Sequence, residues 1–296
     1  MQHLKNLRFV MQKSGRLAEG TIALLQKCGY GVKINKRQLL LQEKSGIDFL
    51  FTRDDDIPGF LAKNICDLGV FGENLLTEYS LTHKDDAHNL QVIMPLGFSK
   101  CRLSIAAPET HTYPTAQTLQ NKIIATSYPQ TLAHFLKQNN VTAEIVTMHG
   151  SVELAPKIGI ADLICDLVSS GVTLKENGLV EVMKIADSQA VLVANKTALH
   201  TEKHSLIENM LLRINGVLDA KQNKYIMLHV QKDKIEAVKK ILPSREAPTI
   251  LELQGIPNKV AIHTVSPEEI FWETIEKLKE IGASSILVLP IEKMMA

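Results

Sequence analysis

The sequence predicts an α/β protein of two similar lobes followed by a smaller module of different pattern, and three observations predict it. Short apolar runs of strand length stop abruptly at small or glycine-containing loops, as where Leu163-Ile164-Cys165-Asp166-Leu167-Val168 gives way to Ser169-Ser170-Gly171. The Ile-Cys-Asp-Leu of that run recurs at Ile65-Cys66-Asp67-Leu68, with Gly72 and Leu75 in register with Gly171 and Leu174. Beyond about residue 221 the strands and helices follow a new order, βαββαβ.

In chain order, Leu7 to Met11 is the first strand, and Lys13-Ser14-Gly15-Arg16 opens a helix from Leu17 to Cys28 that Gly29 stops. Phe49 to Thr52 is a strand leading into Arg53-Asp54-Asp55-Asp56-Ile57-Pro58, where Pro58 sets a helix start and Asp56 is the expected N-cap. Residues 77 to 89 are polar and read as a loose surface excursion. The chain crosses near Gly97-Phe98 into a strand at Cys101 to Ala106, and the second lobe repeats the strand-loop-helix order. Its parts are a strand at Lys122 to Ala125, a helix opened by Tyr128-Pro129, a strand at Glu144 to Thr147, and a buried parallel strand ending at Val168.

Two further strands, Val180 to Ile185 and Ala190 to Ala194, and a helix from about Thr201 to Ala220 return the chain to the first lobe. Two crossings then join the lobes, which makes hinge closure possible. The expected divisions are 1–98 with 186–220 for the first lobe, 99–185 for the second, and 221–296 for the terminal domain. In that domain strands at Lys224 to Val230, Thr249 to Gln254, Lys259 to Val265 and Ala283 to Ile291 alternate with helices at Lys232 to Leu242 and after Ser266-Pro267-Glu268-Glu269, with Ser266 as cap. This is the split βαβ, ferredoxin-like order, whose bare sheet face and edge strands invite association with copies of itself.

Loops that converge at the carboxyl ends of strands are where open α/β sheets bind ligands. The loop Ser169-Ser170-Gly171-Val172-Thr173 offers backbone N–H groups and hydroxyls at one point, as a phosphate site requires. Asp166 just before it can accept hydrogen bonds from sugar hydroxyls. Ser-Ser-Gly after a strand is also an ordinary turn, and the echo between the lobes favours the ligand reading. Lys13 and Arg16 suit anionic oxygens, against a solvated turn. Tyr128 suits stacking on a base, against a core tyrosine. Glu73, Thr126 and Glu153 fall in or beside the matching loops, with helix capping the competing role for Glu153. The Asp54-Asp55-Asp56 run is read as helix-start chemistry ahead of metal binding.

The chain has 296 residues, 45% hydrophobic and 22% charged, with a net charge of +1, and so carries no basic footprint for nucleic acid. The four cysteines form no Cys-x-x-Cys pair and read as small core residues in a reducing compartment. There is no apolar run of membrane-span length and no signal-peptide core at the amino terminus, so the expected location is cytoplasmic, with neither membrane nor nucleic acid as partner.

From end to end the chain resembles the ATP phosphoribosyltransferases, the first enzymes of histidine biosynthesis, in their long form. The resemblance rests on Met11-Gln12-Lys13-Ser14-Gly15-Arg16-Leu17, Arg53 to Gly59, Asp67-Leu68-Gly69, Ala125 to Pro129, Gly150-Ser151-Val152-Glu153, Ala161 to Leu174, Lys224 to Met227 and Gly282 to Met294. It implies that N1 of ATP displaces pyrophosphate from 5-phosphoribosyl pyrophosphate, with Mg²⁺ carried on the pyrophosphate. It also implies a cleft like that of type II periplasmic binding proteins, an ACT-like regulatory domain where histidine inhibits, and a homohexamer that exchanges with homodimers, without a separate regulatory subunit. On this basis Asp166, Ser169, Ser170, Gly171, Val172, Thr173 and Lys13 are assigned to phosphoribosyl pyrophosphate. Arg16, Arg53, Arg102 and Tyr128 are assigned to ATP, and Thr249 and Ser285 to the regulatory site. Unlike the common phosphoribosyltransferase motif, which pairs adjacent acids, Asp162 and Asp166 are separated here. The competing expectation is a non-catalytic cytosolic ligand sensor with a binding-protein-like cleft.

Overall fold

The computed structural model describes residues 6–33, 38–267 and 272–295. These divide into two compact units, Met1–Ala23 with Tyr30–Ile207, and Leu24–Gly29 with Glu208–Ala296. The sequence reading placed the start of the terminal domain at 221; the second unit takes in the helical segment before it.

Strand β1 (Leu7–Gln12) is buried on both faces, as its unbroken apolar run requires, and α1 (Arg16–Lys27) follows the turn at Gly15. A short β2 (Leu40–Glu43) leads to β3 (Ile47–Thr52) and to a 3₁₀ turn at Asp54–Asp56 that runs into α2 (Ile57–Ala62). Asp56 precedes α2 but does not cap it with its side chain; Thr52 Oγ1 donates to Asp56 Oδ2 at 3.2 Å instead. The helical turn is already running through Asp56, so its carboxylate is not presented to the later amides.

Strand β4 (Leu68–Gly72) is followed by α3 (Glu73–Thr82) and α4 (Lys84–Ala87), where a loose excursion was expected. Leu75, Leu76 and Tyr79 pack with Phe60 against Ile57, Leu61 and Phe71, and this tertiary anchoring fixes a helix in spite of its polar composition. After β5 (Leu90–Pro95) the chain enters a second sheet through β6 (Cys101–Pro108), β7 (Ile123–Thr126), α5 (Pro129–Gln138), β8 (Glu144–Thr147), β9 (Leu163–Val168), α6 (Val172–Glu176) and β10 (Leu179–Ser188). Then β11 (Ala190–Asn195) rejoins the first sheet. The six-stranded sheet has the order β2-β3-β1-β4-β11-β5 and the five-stranded sheet β10-β6-β9-β7-β8. Strand β9 runs parallel to β7 but antiparallel to β6, so only one of its edges is the parallel neighbour expected. Strand β10 stays in the five-stranded sheet as far as Ser188, past the expected division at 185.

In these sheets β1, β3 and β4 run parallel, so Lys13–Arg16, Arg53–Asp56 and Gly72–Asn74 leave one edge of the first sheet together. Strands β7 and β9 do the same for Ser127-Tyr128 and Ser169–Gly171 in the second. The two crossings are tied to each other: Leu96 N donates to Ala190 O at 2.9 Å and Ala190 N to Phe98 O at 3.0 Å. Gly97 and Ser99 take left-handed φ values of 72° and 51° around Phe98.

After α7 (His204–Lys221) come β12 (Asn223–Gln231), α8 (Ile235–Ile241), β13 (Thr249–Glu252), β14 (Lys259–Pro267), α9 (Trp272–Glu280) and β15 (Ser284–Pro290). The sheet order β13-β14-β12-β15, antiparallel throughout, is the ferredoxin-like arrangement. Ile226, Leu228, Val230, Val260 and Ile262 bury one face of this sheet against Val238 and Leu278. Ser266 is not a helix cap: it belongs to β14 opposite Lys224, and its hydroxyl donates to Pro243 O. Glu268 and Glu269, expected at that helix start, lie outside the described residues. Among the described residues no helix is long and apolar enough to cross a membrane.

Candidate functional site

Between the two sheets lies a cleft of about 280 Å³ whose lining includes Gln12, Arg16, Asn74, Lys100, Tyr128 and Ser169. Arg16 arrives as the first residue of α1, Tyr128 as the residue before α5, and Ser169 as the residue after β9, so each sits where a strand has just ended. A contiguous chamber of about 650 Å³ shares Gln12 and Asp54 with the cleft and contains Lys13 and Arg53 beside Leu39, Leu50 and Phe60. The structure therefore brings Arg16, Tyr128 and Ser169 into one cavity and puts Lys13 and Arg53 in the next.

Asp166 is half-buried in β9 three residues before Ser169, and its Oδ1 accepts Leu167 N–H at 2.7 Å. Burial holds its carboxyl above the ordinary aspartate range, with the Leu167 amide pulling the other way and the charge of Glu153 adding to the rise. Burial likewise pushes the Tyr128 hydroxyl far above the usual tyrosine range, reinforced by Asp166, Asp54 and Asp55. Asp55 is raised by burial and then by Asp54 and Asp56, with His149 and Arg53 opposing. Asp54 of the first lobe and Tyr128 of the second line the same cleft. Tyr128 stays a neutral hydroxyl at physiological pH and can act only as a hydrogen-bonding and stacking surface.

Gly171, at φ 78°, turns the chain from β9 into α6, and no neighbouring atom lies within 4 Å of where its Cβ would stand. Ser169, Ser170, Val172 and Thr173 are exposed, and Val172 and Thr173, as first residues of a helix, have no intrahelical acceptor for their N–H groups. Asp162 fastens the start of β9 to β7: its Oδ2 accepts Ile123 N at 2.9 Å and its own N donates to Ile123 O at 2.8 Å. That leaves Asp166 as the acid beside the loop.

The remaining candidates are placed elsewhere. Thr126 is fully buried and its hydroxyl oxygen accepts Tyr128 N at 2.9 Å, so it shapes the turn beneath Tyr128. Glu73 is the exposed first residue of α3 and does not line the cleft, though its neighbours Gly72, Asn74 and Leu75 do. Glu153 sits half-buried in a 3₁₀ turn at Val152–Leu154. Arg102 is engaged by Glu181 and by the Ser169 carbonyl. In the terminal unit Thr249 lines a cavity of about 550 Å³ with Tyr225, Arg245, Leu251 and His263. Ser285, at φ 50° in β15 where its pairing with β12 slips, does not line it.

Sequence reasoning missed Gln12, Ser99, Lys100, Cys101 and Ser188 as cleft residues, and in the Gly72-Glu73-Asn74 loop it singled out Glu73 where Asn74 lines the cleft. Asn74 and Ser188 are joined twice, Asn74 N donating to Ser188 Oγ at 3.0 Å and Ser188 Oγ to Asn74 Oδ1 at 2.8 Å. The signal available was position: Ser99 to Cys101 and Ser188 flank the two crossings, and a hinge lies at the floor of a two-lobed cleft.

A family model described as ATP phosphoribosyltransferase matches residues 53–216, more than half of the chain, and one described as its C-terminal domain matches 220–293. Among solved structures, the ATP phosphoribosyl transferase (HisG:HisZ) complex from Thermotoga maritima is similar at 27% identity and a TM-score of 0.59, over 71% of this chain and 98% of that one. A protein named Tv2483, solved with L-arginine bound, is 13% identical with a TM-score of 0.51, over 73% of this chain and 86% of the other, which is a likeness of fold alone. The periplasmic aliphatic sulphonate binding protein SsuA from Escherichia coli is 14% identical with a TM-score of 0.48, over 73% of each chain. The two-lobed region thus shares its fold with Tv2483, and a further α/β domain follows it.

Proposed function

Since the chain belongs to the ATP phosphoribosyltransferase family, whose reaction joins N1 of ATP to the ribosyl carbon of 5-phosphoribosyl pyrophosphate, we propose that this reaction takes place in the cleft between its two lobes. The observation that carries the assignment is the meeting of Arg16, Tyr128 and Ser169 in one cavity, with Asp166 half-buried beside it. The 5-phosphate rests on Ser169, Ser170, Gly171, Val172 and Thr173, and Asp166 accepts hydrogen bonds from the ribose hydroxyls. ATP enters from the first lobe, its phosphates toward Arg16 and Arg53 and its adenine toward Tyr128, while Lys13 meets phosphate oxygens of the phosphoribosyl donor.

In this displacement the ribosyl carbon becomes cation-like as the leaving pyrophosphate gains charge, so no protein nucleophile is needed. The enzyme's work is alignment and charge stabilisation. Asp166 and the facing acids Asp54 and Asp55 lie near enough to shift the Tyr128 hydroxyl, and so place negative charge where a cation-like sugar would form. Lys100, lining the cleft, and Lys13, in the adjoining chamber, offer positive charge to the departing pyrophosphate.

Mg²⁺ is the proposed cofactor, and bound to the pyrophosphate it would offset that group's charge. Mg²⁺ keeps several waters and binds phosphate oxygens, so it would arrive on the substrate; among the described residues no group of three His, Cys, Asp or Glu is placed to hold a metal.

The terminal module is proposed as an ACT-like regulatory domain at which histidine inhibits, in homohexamers or homodimers located in the cytoplasm. The Thermotoga maritima structure contains HisZ, and nearly all of its matched chain is spanned by 71% of this one. This chain also carries the segment matched as the C-terminal domain, residues 220–293. This supports a chain that carries its own regulator and needs no separate subunit. The sensor alternative shares the fold but has no counterpart to the family match over 53–216.

The test is direct. The full chain incubated with ATP, Mg²⁺ and 5-phosphoribosyl pyrophosphate should produce the adduct's ultraviolet absorbance together with pyrophosphate, and Asp166→Ala should abolish both with the melting transition retained. Full activity in that variant would remove the assignment of the cleft.

A further inference from the structure

Resting on the reading that Ser169-Ser170-Gly171 carries the phosphate, we propose that Arg102 and Glu181 form a brace that positions this loop, so that Arg102 serves the phosphoribosyl donor and does not contact ATP. Each of the three guanidinium nitrogens of Arg102 has a partner. Its Nε donates to Glu181 Oε1 at 2.6 Å, its Nη2 pairs with Glu181 Oε2, and its Nη1 donates to the Ser169 carbonyl at 3.2 Å. Ser104 Oγ donates to the same Oε1 at 2.8 Å, which fixes the carboxylate from a second side. Arg102 stands on β6 opposite Val168 of β9 and Asp187 of β10, and Glu181 stands on β10, so the pair spans three strands and reaches the first residue beyond β9.

What the brace accomplishes follows from the peptide plane. The Ser169 carbonyl and the Ser170 N–H belong to one trans peptide unit and point in opposite directions. A hydrogen bond that holds the carbonyl toward Arg102 therefore aims the Ser170 N–H away from it. Turning this peptide over needs only rotation about ψ of Ser169 and φ of Ser170, both exposed residues of a loop. Holding one carbonyl removes that freedom before the ligand arrives, which is how preorganisation lowers the cost of binding. Arginine suits the task because its planar fork serves a carboxylate with two donors and a third group with another, which a lysine cannot. Side-chain exposures of 34% and 25% place the pair at the margin of the second sheet, where swinging Arg102 toward a nucleotide would leave Glu181 without its main partner.

Steady-state kinetics of the full chain, with each substrate varied in turn, separates the roles. Arg102→Gln is expected to raise KM for 5-phosphoribosyl pyrophosphate about tenfold or more while KM for ATP stays unchanged. Glu181→Gln should move the same constant in the same direction by less, and Arg102→Lys should not restore it. If Arg102→Gln loses its melting transition, Glu181→Gln carries the test, with its smaller rise in KM for 5-phosphoribosyl pyrophosphate alone as the expected result. A rise confined to KM for ATP, or no change in either constant, overturns the brace. Gly171→Val, measured alongside, keeps the two levels apart: if it leaves KM for the phosphoribosyl donor unchanged, the loop reading has failed. If it raises that constant and neither Arg102→Gln nor Glu181→Gln does, only the brace has failed.

Discussion

Glu78 of α3 caps α5 through Thr131: its Oε2 accepts both the Thr131 N–H at 2.8 Å and the Thr131 hydroxyl at 2.6 Å, while Oε1 accepts Gln130 N–H at 2.7 Å. Gln130 and Thr131 are the second and third residues of a helix whose own N-cap, Tyr128, makes no side-chain cap. A carboxylate from the first lobe thus does what a serine or aspartate at position 128 would otherwise do. The substitution leaves position 128 open to a large ring that lines the cleft.

Glu78→Ala is expected to lower stability by about 2 kcal/mol, the range for charge-assisted hydrogen bonds at a helix start. Because the cap joins the lobes, KM should rise for both substrates together. A urea titration gives the first quantity and initial rates the second. In a double-mutant cycle with Thr131→Ala the two losses should be far from additive, and additive losses would mean that Glu78 acts elsewhere.

Asp166 sets a pH dependence whose sign can be worked out. Its carboxyl is raised above the ordinary 3.8 chiefly by burial, and the charged form, with both oxygens able to accept, is the stronger acceptor from sugar hydroxyls. The acid limb of kcat/KM for 5-phosphoribosyl pyrophosphate should therefore lie above the usual aspartate value. A raised carboxyl binds its proton more tightly in the folded state, so its ionisation opposes folding. That cost is absent below the unfolded value and is fully present above the raised folded one. Asp166→Asn, whose amide oxygen can still accept Leu167 N–H, should accordingly be more stable than the parent at neutral pH while losing activity. A variant that is less stable at neutral pH and retains the acid limb would contradict both halves.

How far the sequence carries depends on range. Strands β1, β3, β7 and β9 are legible because each is an apolar run ended by a loop, and the repeated Ile-Cys-Asp-Leu announces two lobes. Helix α3 was not legible: its polar stretch after Thr77 becomes ordered through Tyr79 packing on a distant cluster, and Glu78 finds its partners on the other lobe. Arg102 is assigned to ATP by resemblance, and nothing local announces Glu181, its partner in space, which lies far along the chain. The cleft residues supplied by the crossings, Lys100, Cys101 and Ser188, belong to no motif and gain their place only when two sheets are joined. Ser266 followed by proline carries a helix-cap signature, yet the strand β14 extends through both residues.

The crossing itself has a steric seat. A Cβ on Gly20 would come within 2.5 and 2.6 Å of two Phe98 ring carbons, so α1 must lack a side chain there for Phe98 to pack. Glycine to alanine inside a helix ordinarily gains about 1 kcal/mol, but overpacking costs about 1 to 3 kcal/mol. Gly20→Ala is therefore expected to be a net loss, and Phe98→Leu in the same chain should recover part of it. Thermal melts of the single and double variants decide the matter, since stabilisation by Gly20→Ala alone would mean that the ring moves aside freely.

The proposed inhibition by histidine is most open to test at Thr249. Its cavity of about 550 Å³ holds Arg245, suited to an amino acid's carboxylate, and the pair Tyr225 Oη and His263 Nδ1 at 2.5 Å. Thr249→Trp would fill this space, and the expected outcome is loss of histidine inhibition with the uninhibited rate as reference. The lost coupling should be about 1 to 3 kcal/mol, or roughly five- to 150-fold in inhibitor effect. Ser285 lies outside the cavity, so Ser285→Trp should leave inhibition in place if the inhibitor sits within one chain. Inhibition that survives Thr249→Trp and disappears with Ser285→Trp would move the effector out of this cavity to the exposed side of β15.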